Sequence, residues 1–277
     1  MASAVEQAPV RARSDAPFYI AFAVLGSTYV LLIVAMLVAD LGFTTGAHLW
    51  LALSSPEIRY AIKLSLISCT ITTILSLWVG VPLGYMLSRF RFPGKGAVDA
   101  ILDIPIVLPP LVIGLSLLIL FQTRLFRALD QAFPITYAVP SVILAQFSVA
   151  CAFAVRTMRI TFDQINPRGE QVALTLGCTR GQAFWMVVLP EARRGVLTAA
   201  TLAWARSLGE FGPILVFSGA TRMRTEVLST TVFLELSVGN IEAAVAVSLL
   251  MIAAAVIVLT LLRVFGSEST FGMAIEP

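Results

Sequence analysis

Charge is scarce in this chain: Asp, Glu, Lys and Arg make up 13% of its 277 residues, about half the share found in ordinary soluble domains. Histidine is almost absent. The single one, His48, lies in a polar stretch beside an apolar run, so no His-based catalytic constellation can be assembled. The three cysteines are odd in number, and Cys69 and Cys151 fall inside apolar runs, which excludes a disulfide framework and a zinc site. A phosphate-binding loop is missing too. Its nearest approach, "FPGKGA", places Gly96 after Lys95 where Ser or Thr is required, and the glycine spacing is wrong. No catalytic residue, metal ligand or cofactor site is assigned, and any energy from ATP must be supplied by another polypeptide.

What is present is apolar surface. Hydrophobic residues make up 58% of the chain and the mean hydropathy is +0.91, which together describe one polytopic all-α membrane domain. A formal net charge of +3 accompanies this. The basic residues are scattered over short loops rather than gathered in a stripe, so they set membrane topology and do not point to nucleic acid.

Residues 1–17 read as a polar tail, 18–264 as the transmembrane domain and 265–277 as a second tail. The first apolar run, "FYIAFAVLGSTYVLLIVAMLVAD", has no small-residue cleavage pattern behind it and reads as a retained span. Further spans are predicted at about 60–87, 104–121, 138–155, 196–218 and 243–264, which gives six transmembrane helices. With the N-terminus inside, 12 Lys and Arg fall on one face and 6 on the other, with Arg206 left within a span. Both termini are therefore expected in the cytoplasm. "FRFPGKG" becomes a cytoplasmic turn between spans two and three.

Between spans four and five, at about 156–195, lies a segment too long for a hairpin turn and too apolar for a flexible linker. In "NPRGEQVALTLG", Asn166 is a candidate N-cap, Pro167 suits the first helical position, Glu170 faces the N-terminal dipole and Gly177 is a stop. Val172, Ala173 and Leu176 line one side of this short helix. "QAFWMVV" forms a second, with Phe184 and Val188 four apart, ended by Pro190. The residues alone allow either an amphipathic hairpin on the lipid headgroups or a rigid knob that docks on a soluble partner.

Glu170, Ala173, Gly177, Val187, Leu189 and Pro190 together resemble the "EAA" signature of permease subunits of bacterial binding-protein-dependent ABC importers, with Val172 in place of one usual alanine. The resemblance implies that a coupling helix at Glu170–Gly177, with Leu189 and Pro190 behind it, docks on cytoplasmic ABC ATPase subunits. It also implies a homodimer of permeases in the inner membrane and an extracytoplasmic solute-binding protein as a further partner.

In "ARSLGEFG", Arg206 and Glu210 are four apart on one helical face in apolar surroundings. Charges so placed are costly, usually pair, and tend to face a pathway or bundle interior. Either a packing pair or a gate is consistent with the residues. Ser207 adds a hydroxyl donor toward a passing anion, while Gly209, Gly212 and Pro213 loosen the helix as a hinge or a close contact would require. With "RTEVL" and "DIPIVLPPLVIG" (Pro105, Pro109, Pro110, Gly114), this stretch is similar to the molybdate, tungstate and sulfate branch of the family, although Pro213 and Ile214 depart from it. Ferric iron, phosphonate and polyamine permeases share the frame. An ion-coupled secondary transporter would want more midplane carboxylates than Glu210 and often an internal repeat. A membrane scaffold would need no ATPase. The segment "ATRMRTEVLSTTVFLEL" is expected outside the membrane, either as a contact for the binding protein or as a plain surface loop.

Overall fold

The structure, a computed structural model, describes residues 15–267. The expected tails at 1–17 and 265–277 lie outside the described residues, save where the first and last helices enter them. Every regular element among the described residues is helical. α1 (Ala16–Phe43) is a unit by itself. Pro17 sits in its first turn, and the hydroxyls of Ser27 and Thr28 each donate to the Val24 carbonyl at 2.9 Å, so neither presents an unpaired polar group to lipid.

The second unit begins at Gly46. α2 (Gly46–Ser54) leads into α3 (Pro56–Arg89), whose 34 residues extend over about 51 Å, well beyond the ~30 Å hydrocarbon core of a bilayer. α4 (Lys95–Val107) and α5 (Pro110–Gln122) follow, bent 113° from each other. The Pro109–Pro110 pair causes the bend. A residue before proline is pushed out of the α region, and Leu108 (ψ 142°) and Pro109 (ψ 133°) are both extended. α6 (Arg124–Ala132) connects to α7 (Val139–Gln164), which ends at the loop of α8 (Arg168–Thr175) and α9 (Arg180–Ala183). A π-helical segment, Phe184–Val188, then joins α10 (Leu189–Glu191) to α11 (Arg193–Leu208). A second π segment, Ile214–Ser218, precedes α12 (Leu228–Ser237) and α13 (Ile241–Ser267).

The expected count of six spans is not reproduced. Among the described residues four helices are long and apolar enough to cross a membrane, or five if the bent α4–α5 pair is one span. The stretch 196–218 is the exception: α11 stops at Leu208, and residues 209–211 are non-helical before the next turn begins.

α3, α7 and α11 form the packed centre. In lipid there is little hydrophobic drive between helices, and an interhelical hydrogen bond is worth only about 0.6 kcal/mol, so close backbone approach does most of the packing. Small residues supply it. A Cβ on Gly84 would lie 2.7 Å from the Met158 Cβ, and one on Gly80 would lie 3.1 Å from the Ala154 Cβ. Gly80 and Gly84 thus seat α3 against α7. One buried polar hub adds register: Gln146 on α7 accepts from Thr72 Oγ1 (3.2 Å) and donates to the Ser207 carbonyl (3.2 Å), tying all three helices together.

Candidate coupling loop and pathway region

The loop between α7 and α11 is built by local capping. Asn166 Oδ1 accepts from the Arg168 N–H at 3.0 Å, as an N-cap does, and Pro167 precedes the first full turn of α8. At the other end Gly177 takes φ +92°, and two bonds close the helix: Cys178 N–H to the Ala173 carbonyl and Gly177 N–H to the Leu174 carbonyl, each 3.1 Å. This is a Schellman ending, which needs a left-handed residue at the glycine position. α9 opens with a reciprocal Thr179–Gln182 capping box.

Pro190 does not end this second helix, contrary to the sequence reading. Proline lacks an N–H and its ring clashes with the carbonyl four residues earlier, but here the preceding turn widens into the π segment, where the Leu189 N–H reaches back to the Phe184 carbonyl. The chain then continues through α10 into α11. Leu189 is half-buried and Pro190 exposed at this junction.

Glu170 is turned inward. It is 9% exposed, one carboxylate oxygen accepts from Tyr85 Oη, and the other lies 3.5 Å from Arg89 Nε. Arg89 Nη2 also donates to the Ile165 carbonyl at 2.9 Å. Ala173 is buried beside it, and beneath the loop Met158, Phe162, Val188, Ala192 and Ala199 form a core cluster. Val172, Leu176, Trp185 and Met186 are exposed instead. The side shared by Val172, Ala173 and Leu176 in the sequence reading is therefore split, with Ala173 alone facing in. From sequence Tyr85 has no role and Arg89 counts only among the 12 basic residues of the cytoplasmic face. Only their position one turn apart at the end of a span signalled them.

In the second region Arg206 Nη1 lies 2.8 Å from Glu210 Oε2, and Glu210 is 1% exposed. The Arg206 guanidinium also sits 5.8 Å over the Phe153 ring. Ser207 is buried, and its hydroxyl donates to the Ala203 carbonyl at 2.8 Å. Its proton is thus committed to its own helix rather than offered to an anion. Gly212 makes a close contact: a Cβ there would lie 2.9 Å from the Leu111 N, and one on Gly114 would lie 2.7 Å from the Pro213 Cα. The start of α5, at 110–114, and residues 212–213, just past the break at 209–211, interlock at these glycines.

The segment "ATRMRTEVLSTTVFLEL" is not a plain surface loop. Thr225, Glu226, Val227 and Leu228 are buried, the Leu228 N–H donates to Ser65 Oγ at 2.8 Å, and Ser229 Oγ donates to the Glu210 carbonyl at 2.7 Å. Arg222 and Glu235 close it with a 2.7 Å ion pair. Burial raises the Glu226 carboxyl above its ordinary pKa. Among the described residues no three His, Cys, Asp or Glu side chains gather as a metal ion would need.

Residues 80–267 match the family model described as "Binding-protein-dependent transport system inner membrane component". The sulfate transport system permease protein CysT of Escherichia coli is 33% identical over 87% of this chain and 88% of its own length. The molybdate/tungstate permease WtpB of Thermococcus kodakarensis is 33% identical, over 74% of this chain and 79% of its own length. The molybdenum permease ModB of Mycobacterium tuberculosis is 34% identical over 76% and 80%. A crystal structure of a bacterial alginate ABC transporter with its alginate-bound periplasmic protein superposes with a TM-score of 0.74. It covers 92% of this chain and 96% of its own, at 17% identity, and so shares the fold. The chain belongs to the family of binding-protein-dependent transport system inner membrane components and is a permease subunit of an ABC importer.

Proposed function

We propose that this permease imports a tetrahedral oxyanion, molybdate, tungstate or sulfate, across the bacterial inner membrane, with both termini in the cytoplasm. The observation that carries this reading is the alignment of sulfate and molybdate/tungstate permeases over 74–87% of the chain. Two copies would enclose the pathway, and a solute-binding protein would deliver cargo from outside.

Alternating access needs a source of differential free energy, because a ligand shifts an equilibrium only by binding its states unequally. The sequence holds no phosphate-binding loop, so that source is a separate ATPase held at the coupling loop. Val172, Leu176, Trp185 and Met186 suit the docking, being apolar yet exposed, the first two at α8 and the others in the π segment after α9. In the pathway region Arg206 is the side chain suited to meet an anion, since it keeps 29% of its side-chain surface open while neutralising Glu210. Ser207 has no such part.

Cellular molybdenum, tungsten and sulfate, measured by mass spectrometry and isotope uptake with and without the gene, test the cargo. Selective loss of one is expected. Unchanged levels of all three would remove the oxyanion assignment and leave the importer class standing.

A further inference from the structure

One turn at the inner end of α3 touches the end of α7, α8 and the π segment of the coupling loop. Arg89 donates through Nη2 to the Ile165 carbonyl, 2.9 Å away where α7 ends, and its Nε faces Glu170 Oε2 on α8 at 3.5 Å. Tyr85 donates to the other Glu170 oxygen. The Tyr85 ring stands edge-on to Phe162 of α7 (5.6 Å between centroids) and to Phe184 of the π segment (4.8 Å). Neither polar side chain is needed for α3 to be helical or apolar.

The geometry assigns Tyr85 and Arg89 as positioning residues through which α3 grips the coupling helix, with Glu170 as the handle they hold. The inference rests on the reading of this loop as the ATPase contact. It differs from a direct role for Glu170 at that contact, because the carboxylate faces the permease. Glu170 and Arg89 side chains are only 11% and 14% exposed, while the surface left open is that of Val172 and Leu176.

Each carboxylate oxygen has its own partner, so the pair of contacts resists rotation of α8 as well as translation. α3 cannot yield easily behind them, since Gly80 and Gly84 seat it directly on the α7 backbone. A displacement of α8 is therefore passed to α3 and α7 together. Without the two contacts α8 would keep its caps and its open apolar surface, and so its ability to dock. It would lose the path by which docking moves the spans.

The test uses the permease copurified with its own ATPase in nanodiscs. The native cysteines are replaced and a reporter, Thr198→Cys, is placed in the roughly 520 Å³ cavity between α7 and α11. Its reactivity toward a water-soluble maleimide is read with and without ATP and vanadate. Arg89→Ala and Tyr85→Phe are expected to retain the ATPase at normal stoichiometry while the nucleotide-dependent change falls roughly tenfold, within the range of allosteric couplings. Tyr85→Phe keeps the aromatic contacts, so a loss there cannot be ascribed to packing. An unaltered response in both variants overturns the inference. Failure of both to retain ATPase also overturns it, because the pair would then serve assembly. Absence of ATPase or of any response in the parent protein would instead refute the coupling-loop reading itself.

Discussion

Arg206 is the partner that neutralises Glu210, 2.8 Å away in a position where the carboxylate is 1% exposed. Removing one member of a buried pair costs roughly 3–5 kcal/mol, because the remaining charge is left uncompensated. Arg206→Ala is therefore expected to lower the detergent-solubilised melting temperature, and adding Glu210→Gln should recover most of it. If uptake stays low in that restored double variant, the arginine acts in the pathway; if uptake returns with stability, the pair only packs. Asp130 shows a titration of the opposite location, outside the spans. Its carboxylate accepts from the Thr136 and Ile135 N–H groups at 2.8 Å each, and these bonds hold its pKa below the ordinary 3.8. A depressed carboxyl stabilises the fold above its unfolded value and loses that contribution as pH falls through the folded one. Acid protection of the 133–138 turn, followed by hydrogen exchange, should fade only below about pH 4, and Asp130→Asn should remove the pH dependence. At this scale the sequence was informative wherever partners were close along the chain: Arg206 with Glu210, Asn166 with Arg168. It was silent on Tyr85 and Arg89, whose partner Glu170 is more than eighty positions away.

Among the elements, α4 has an unusual attachment. None of its residues is buried, and it is held to α7 by Asp103–Arg156 at 2.7 Å and by the Asp99–Arg159 pair. Both pairs are partly exposed, and such pairs contribute about 0–1 kcal/mol each. The helix is thus weakly tethered along its length, and the close Pro110–Gly212 contact lies beyond the bend, at the start of α5. Asp99→Asn with Asp103→Asn is expected to raise hydrogen exchange over 95–107 while leaving α7 protected, and high salt should mimic the change in the parent protein. Equal protection in the variant would show that lipid or a second copy holds α4. Hydropathy read 104–121 as one span because its apolar content is continuous; the bend comes from two consecutive prolines that leave hydropathy unchanged. The opposite happened at 219–237, where polar residues read as surface. The Leu228 N–H finds Ser65 of α3 and the Ser229 hydroxyl finds the Glu210 carbonyl, so burying these groups costs little.

For the assembled transporter, the exposed apolar residues of the coupling loop offer the cleanest separation of docking from folding. Leu176 is 80% exposed and Trp185 68%, so Leu176→Glu with Trp185→Glu should change the stability of the permease by no more than about 1 kcal/mol, about 0.5 for each surface substitution. Copurification of the ATPase should nonetheless be lost, as measured by subunit stoichiometry after affinity capture. Retained ATPase would place the contact elsewhere. Sequence by itself determined the membrane class, the first capped helix of the loop and the family, since apolar run length, caps and short motifs are properties of neighbouring residues. Only the tertiary structure decided that Glu170 faces inward and that Gly212 and Gly114, beside the two helix breaks, interlock. Each of these depends on which distant backbone comes within a few ångströms, and residue order along one helix does not specify that.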